Sequence, residues 1–250
     1  MNAAIALGLV PIMGPPAPGD AIEESNGSFV SLGKTIGFEG FGPKAPGRHP
    51  AIVILHGSGG MDVGGAEFRN FARELACRGF VARIVHYFDQ SGTRHADAAQ
   101  IARSFSSWMA TVGDAITSLA RREDVDPGRV GLLGFSLGSY LALSVASHDR
   151  RVAAVVEYFG GLPDLFARDI RQFPPTLILH GDADAVVPVN EAQKLERLFT
   201  ENAIPFEIRV YPGQGHIFTG QDGVDAYHRA LAYLETHVKG RPAGRLPGAG

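Results

Sequence analysis

The chain has 250 residues, of which 45% are hydrophobic and 20% charged, with a formal net charge of -3. That length buries one substantial core, and the balance excludes disordered and fibrous classes. The scattered arginines exclude a nucleic-acid or anionic-membrane surface, and the single cysteine, Cys77, excludes an intramolecular disulfide framework and a cysteine zinc cluster.

Residues 1–24 open with the apolar "MNAAIALGLVPIMGPPAPGD", too short to cross a bilayer and broken by prolines. They read as a flexible extension. Without a positively charged start the segment is no ordinary secretory signal, so a cytoplasmic chain is expected, with a degenerate export signal as the alternative.

Residues 25–239 alternate strand with helix and read as one domain. "GSFVSLGKTIGFEGFG" predicts an antiparallel hairpin, and the unbroken apolar run "HPAIVILHG" predicts a central strand covered on both faces. Phe68, Phe71, Leu75 and Ala76 recur at helical spacing in a segment that ends at Gly79. "FVARIVHYF" reads as the next strand, and a polar stretch from Asp89 leads to a helix over Trp108 to Arg122. "DVDPGRV" is a turn feeding the strand "VGLLGF", followed by a helix from Leu137 to Ser147. Three more strands, "VAAVVEYFG", "PTLILHG" and "FEIRVYP", and a last helix over Asp222 to His237 complete the domain. The Gly/Pro-rich residues 240–250 read as a disordered tail.

Such alternation builds an α/β fold, a mostly parallel sheet with helices on both faces, and ligands of such sheets sit beyond the carboxyl ends of the strands. The informative residues therefore follow the strands. Gly134-Phe135-Ser136-Leu137-Gly138 matches G-x-S-x-G and stands between an apolar strand and a helix. A serine on that turn is exposed above the sheet, and the Leu137 amide at the helix start faces any oxyanion formed there. A serine hydroxyl needs a base, and an imidazole base needs a carboxylate to fix its tautomer. His216, in the glycine-rich "YPGQGHIF", follows both Ser136 and "HGDADAVVP". Asp182 and Asp184 both qualify as the carboxylate. Asp184 is preferred, because Asp182 directly follows the strand and is better placed to brace the turn. The amide of Ser58, in the "HGSGG" loop, is expected as the second oxyanion donor. Tyr158 and Phe159, ending a central strand, are candidate pocket residues, and Arg94 is a candidate partner for a substrate carboxylate.

"ILHGSGG", "RVGLLGFSLGS", "VVEYFGG", "LILHGDADAVVP" and "YPGQGHIF", in that order, resemble the dienelactone hydrolase family of α/β-hydrolases over Ser28 to Val238. The resemblance implies the α/β-hydrolase fold, a triad of Ser136, Asp184 and His216, oxyanion amides from Leu137 and Ser58, and no metal or organic cofactor. Dienelactone hydrolases proper carry cysteine where this chain has Ser136, a departure that points to the serine-esterase branch. The expected activity is hydrolysis of small to medium carboxylic esters through an acyl-enzyme. The alternatives are a lactone hydrolase, a peptidase or acylaminoacyl-hydrolase, and a non-catalytic binding module. Only "LPDLFARDIRQ" separates "VVEYFGG" from "FPPTLILHG", too little for a large lid.

Overall fold

The computed structural model describes residues 22–168, 170 and 172–240. The expectations for residues 1–21 and 241–250 lie outside the described residues. β1 (Ile22–Ser31) and β2 (Lys34–Pro43) form the predicted hairpin. Their pairing runs from Ile22 opposite Pro43 to Ser31 opposite Lys34, so β1 begins inside the stretch assigned to the N-terminal extension.

The remaining elements alternate: β3 (His49–Leu55), α1 (Gly65–Cys77), β4 (Val81–Val85), α2 (Ala98–Ala120), β5 (Val125–Phe135), α3 (Leu137–Ala146), β6 (Val152–Tyr158), α4 (Asp164–Ala167), β7 (Thr176–Gly181), α5 (Asn190–Glu201), β8 (Phe206–Tyr211) and α6 (Gly220–Leu234). They build one eight-stranded sheet in the order β1-β2-β4-β3-β5-β6-β7-β8. β1 and β2 are antiparallel, and the strands from β4 to β8 in that order run parallel. This is the α/β-hydrolase fold anticipated from the motifs.

Parallel strands covered on both faces need apolar residues at every position. β3 meets that need, since Ala51 through Leu55 are fully buried. Val53 and Leu55 pack toward α2, α3 and α5, while Ile52 and Ile54 pack toward α1 and α6. Each such fully buried aliphatic or aromatic side chain contributes roughly 1.5–3 kcal/mol.

α2 and β5 also depart from their predicted bounds. α2 starts at Ala98, ten residues before Trp108, where Asp97 accepts the Gln100 N–H at 2.7 Å. Its first turns carry only half-buried apolar residues, Ile101 and Phe105, so the buried spacing emerges at Trp108. β5 runs through the predicted turn "DVDPGRV". Its pairing with β3 jumps from His49–Val125 to Ala51–Val130, so the turn residues are accommodated as a bulge within the strand.

β3 lies between β4 and β5, which places the switch in strand order at its carboxyl end. The loop after Leu55 and the turn after Phe135 thus face each other across the crevice where ligands of such sheets bind.

Candidate active site

Ser136 sits between β5 and α3 with φ 53° and ψ −117°. For a non-glycine residue that conformation costs about 1–3 kcal/mol and persists only where the surroundings over-determine it. Here the Ser136 amide donates to the Tyr158 carbonyl at 2.9 Å, and its carbonyl accepts the Ser139 N–H at 2.8 Å. The flanking glycines are required sterically. A Cβ on Gly134 would stand 2.6 Å from the Ser139 Cα, and one on Gly138 would stand 2.6 Å from the Leu55 carbonyl carbon and 2.7 Å from the His56 oxygen. The turn therefore folds only with bare backbone on both sides of the serine.

Leu137 is the first residue of α3, so its amide has no intrahelical acceptor. The loop after β3 closes over this point. Gly57 lies so near that a Cβ there would be 3.4 Å from the Ser136 Cβ, and Ser58 follows it, held by its carbonyl to the Ala96 N–H at 2.9 Å. The His56 side chain shapes this loop. Its Nδ1 bonds the Gly57 carbonyl at 2.9 Å, its ring stacks on Tyr87 at 4.2 Å, and burial pulls its pKa down to about 4, so it is neutral.

The structure brings Ser136, His216 and Asp184 together. His216 Nε2 is 2.9 Å from Ser136 Oγ, and His216 Nδ1 is 2.7 Å from Asp184 Oδ2. The second carboxylate oxygen of Asp184, Oδ1, accepts the Val186 and Val187 amides at 2.8 and 2.9 Å. With its side chain fully buried, Asp184 has its hydrogen-bonding capacity directed at these groups. Asp182 is placed otherwise: its Oδ1 accepts the Gly213 N–H at 2.6 Å and ties the β7 loop to the loop after β8.

Two residues that the sequence did not single out belong to this surround. His180 is fully buried, and its Nε2 bonds the Val187 carbonyl at 2.8 Å and lies 3.6 Å from Asp184 Oδ2. Burial lowers its pKa, so a neutral ring steadies the loop that carries Asp184. Glu157 is the other, a fully buried carboxyl at the end of β6. Its only sequence signal is a charged residue within the apolar run "VAAVVEYF".

The three pocket candidates fare differently. Tyr158 is a core residue: its ring stacks on Phe135 at 4.8 Å and its hydroxyl donates to the Ala226 carbonyl at 2.9 Å, which corrects the expectation that it lines a pocket. Phe159 meets the site, with its buried ring 4.7 Å from the His216 ring. Arg94 borders a cavity of about 190 Å³ together with His56, Met61, His86 and Phe88. Its guanidinium grips Asp62 in two bonds of 2.7 and 3.1 Å, so the carboxylate it holds is the protein's own.

The family model described as "Dienelactone hydrolase family" matches residues 39–236. The chain belongs to this family. It is 26% identical to the "Putative carboxymethylenebutenolidase" of Escherichia coli strain K12 over 86% of this chain and 84% of that one. In fold it matches a dienelactone hydrolase-like promiscuous phosphotriesterase from metagenomic libraries, with a TM-score of 0.74 and 18% identity over 87% of this chain and 99% of that one. An acylaminoacyl peptidase of Pyrococcus horikoshii superposes with a TM-score of 0.75 at 14% identity, over 90% of this chain but 43% of the peptidase. This dienelactone hydrolase family member is thus a hydrolase whose candidate site lies at the carboxyl ends of β3, β5, β7 and β8.

Proposed function

We propose that this dienelactone hydrolase family member is a serine esterase that cleaves small to medium carboxylic esters through an acyl-enzyme. The observation that carries the reading is the continuous chain from Ser136 Oγ through His216 to Asp184, with bonds of 2.9 and 2.7 Å. His216 Nε2 takes the Ser136 proton as Oγ attacks the ester carbonyl. Asp184 holds the Nδ1 proton in place and stabilises the imidazolium. The Leu137 and Ser58 amides receive the oxyanion. When the tetrahedral intermediate collapses, the ester C–O bond breaks and the leaving alcohol takes the proton from His216. Water then attacks the acyl-serine by the same route and releases the acid.

Serine in place of the cysteine of dienelactone hydrolases proper supports esters, and the short α4 between β6 and β7 leaves the crevice accessible to them. A lactone reading is favoured by relatives such as a protein of Bradyrhizobium named "Probable 2-oxo-3-(5-oxofuran-2-ylidene)propanoate lactonase", 24% identical over 80% of this chain and 88% of that one. The two differ in the leaving group, free alcohol against tethered enolate. A panel of p-nitrophenyl esters of graded chain length beside an unsaturated five-membered lactone separates them. The ester reading expects kcat/KM for the short esters to exceed that for the lactone by more than about tenfold. The reverse ranking would assign the site to lactones.

A further inference from the structure

Glu157 stands directly beneath the turn that follows β6. Its Oε2 accepts the Gly160 N–H at 2.8 Å, and the neighbouring Ser139 hydroxyl of α3 donates to the Tyr158 carbonyl at 3.0 Å. Oε1 is buried with no hydrogen-bond partner among the described residues. The residue before Gly160 is Phe159, whose φ of 44° is disfavoured for any side chain with a Cβ. That conformation turns the Phe159 ring onto the His216 imidazole, with centroids 4.7 Å apart. A buried carboxyl, a strained turn and the candidate base are therefore linked in series.

We propose that Glu157 is a positioning residue for His216, bracing from within the core the Phe159–Gly160 turn that holds the Phe159 ring against the imidazole. The role rests on the reading of His216 as the base. It also demands a particular protonation state. Burial pushes the Glu157 pKa up to about 8, so the carboxyl is neutral at pH 7. Among the described residues, the titratable groups on the surrounding elements offer it no countercharge. They are Tyr140 of α3, Glu191 of α5 and Asp184 of the β7 loop, and the three carboxyls Glu191, Glu157 and Asp184 together with burial push the Tyr140 hydroxyl up. Ionised Glu157 would be a buried charge held by the Gly160 amide, an unfavourable state that relaxes by disturbing the turn above it.

The folded pKa of about 8 lies above the ordinary 4.5, so the contribution to stability is complete below 4.5 and is lost as pH rises between these values. The sign for activity is a fall above pH 8, in kcat rather than KM, because Glu157 lies in the core and not among the residues bordering the cavity.

The test compares kcat and KM for p-nitrophenyl acetate from pH 6 to 9.5 in the wild type, Glu157→Gln, Glu157→Ala and Ser136→Ala. Glutamine keeps an acceptor for the Gly160 amide and cannot ionise. The expected result is an alkaline fall in wild-type kcat that is absent from Glu157→Gln. Glu157→Ala is expected to lose kcat by about 10–100-fold, since small misplacements of a base are that costly, and Glu157→Gln to recover most of it. If Ser136→Ala is inactive and Glu157→Gln retains the wild-type alkaline fall, the Glu157 role is overturned while the triad stands. If Ser136→Ala hydrolyses like the wild type, the triad reading falls and the Glu157 role with it. Should Glu157→Ala not fold, the Glu157→Gln profile decides alone.

Discussion

Ser136→Ala is expected to lower kcat for p-nitrophenyl acetate by roughly 10⁴–10⁶-fold, to the residual rate supplied by binding and oxyanion stabilisation. Among the described residues the Ser136 hydroxyl has one side-chain partner, His216, at 2.9 Å. Its removal leaves the turn's backbone bonds to Tyr158 and Ser139 in place. Alanine, like serine, carries a Cβ, so φ 53° is disfavoured in both proteins. The net cost is the one hydrogen bond to His216, about 0.5–1.5 kcal/mol, so the thermal unfolding midpoint is expected to stay close to wild type. A large loss of activity with an unmoved midpoint distinguishes a lost nucleophile from a damaged fold.

Asp184→Asn is expected to reduce kcat by about 10⁴-fold. Asp184 Oδ1 accepts two amides, from Val186 and Val187, and Oδ2 accepts the His216 Nδ1 proton. Asparagine has one oxygen for these tasks. With its oxygen on the two amides, its NH₂ faces His216 and drives the imidazole to the tautomer that carries the proton on Nε2, which cannot take a proton from Ser136. With the amide flipped, the NH₂ opposes two N–H donors in a fully buried site, and the loop loses its brace. Either arrangement disables the base. Kinetics of Asp184→Asn across pH, with circular dichroism to establish the fold, checks the expectation.

The parts of this site that the sequence disclosed are those set by local chemistry. Gly134 and Gly138 flank Ser136 because Ser139 and Leu55 stand where their Cβ atoms would be, a constraint that leaves a readable motif. The parity of a strand is also readable while the strand lasts. It fails at Phe159, where the positive φ breaks the alternation, so that Tyr158 and Phe159 both turn to the face packed by α1 and α6. This is why two adjacent aromatics looked equivalent and only one reaches His216. Pairings over long sequence separations were hidden for a different reason. Arg94 reads as a free guanidinium until the fold brings Asp62, 32 residues away, to it. The long α2 was partly hidden because its first turns are capped and largely polar, so amphipathic spacing marks only its later half.

A Ser136 nucleophile activated by His216 reacts with a fluorophosphonate probe, and peptide mass spectrometry locates the adduct. The expected result is one phosphonyl group per chain, on the peptide bearing Ser136, and none on Ser136→Ala. A folded wild-type protein that stays unmodified, or carries the adduct on another residue, would contradict it.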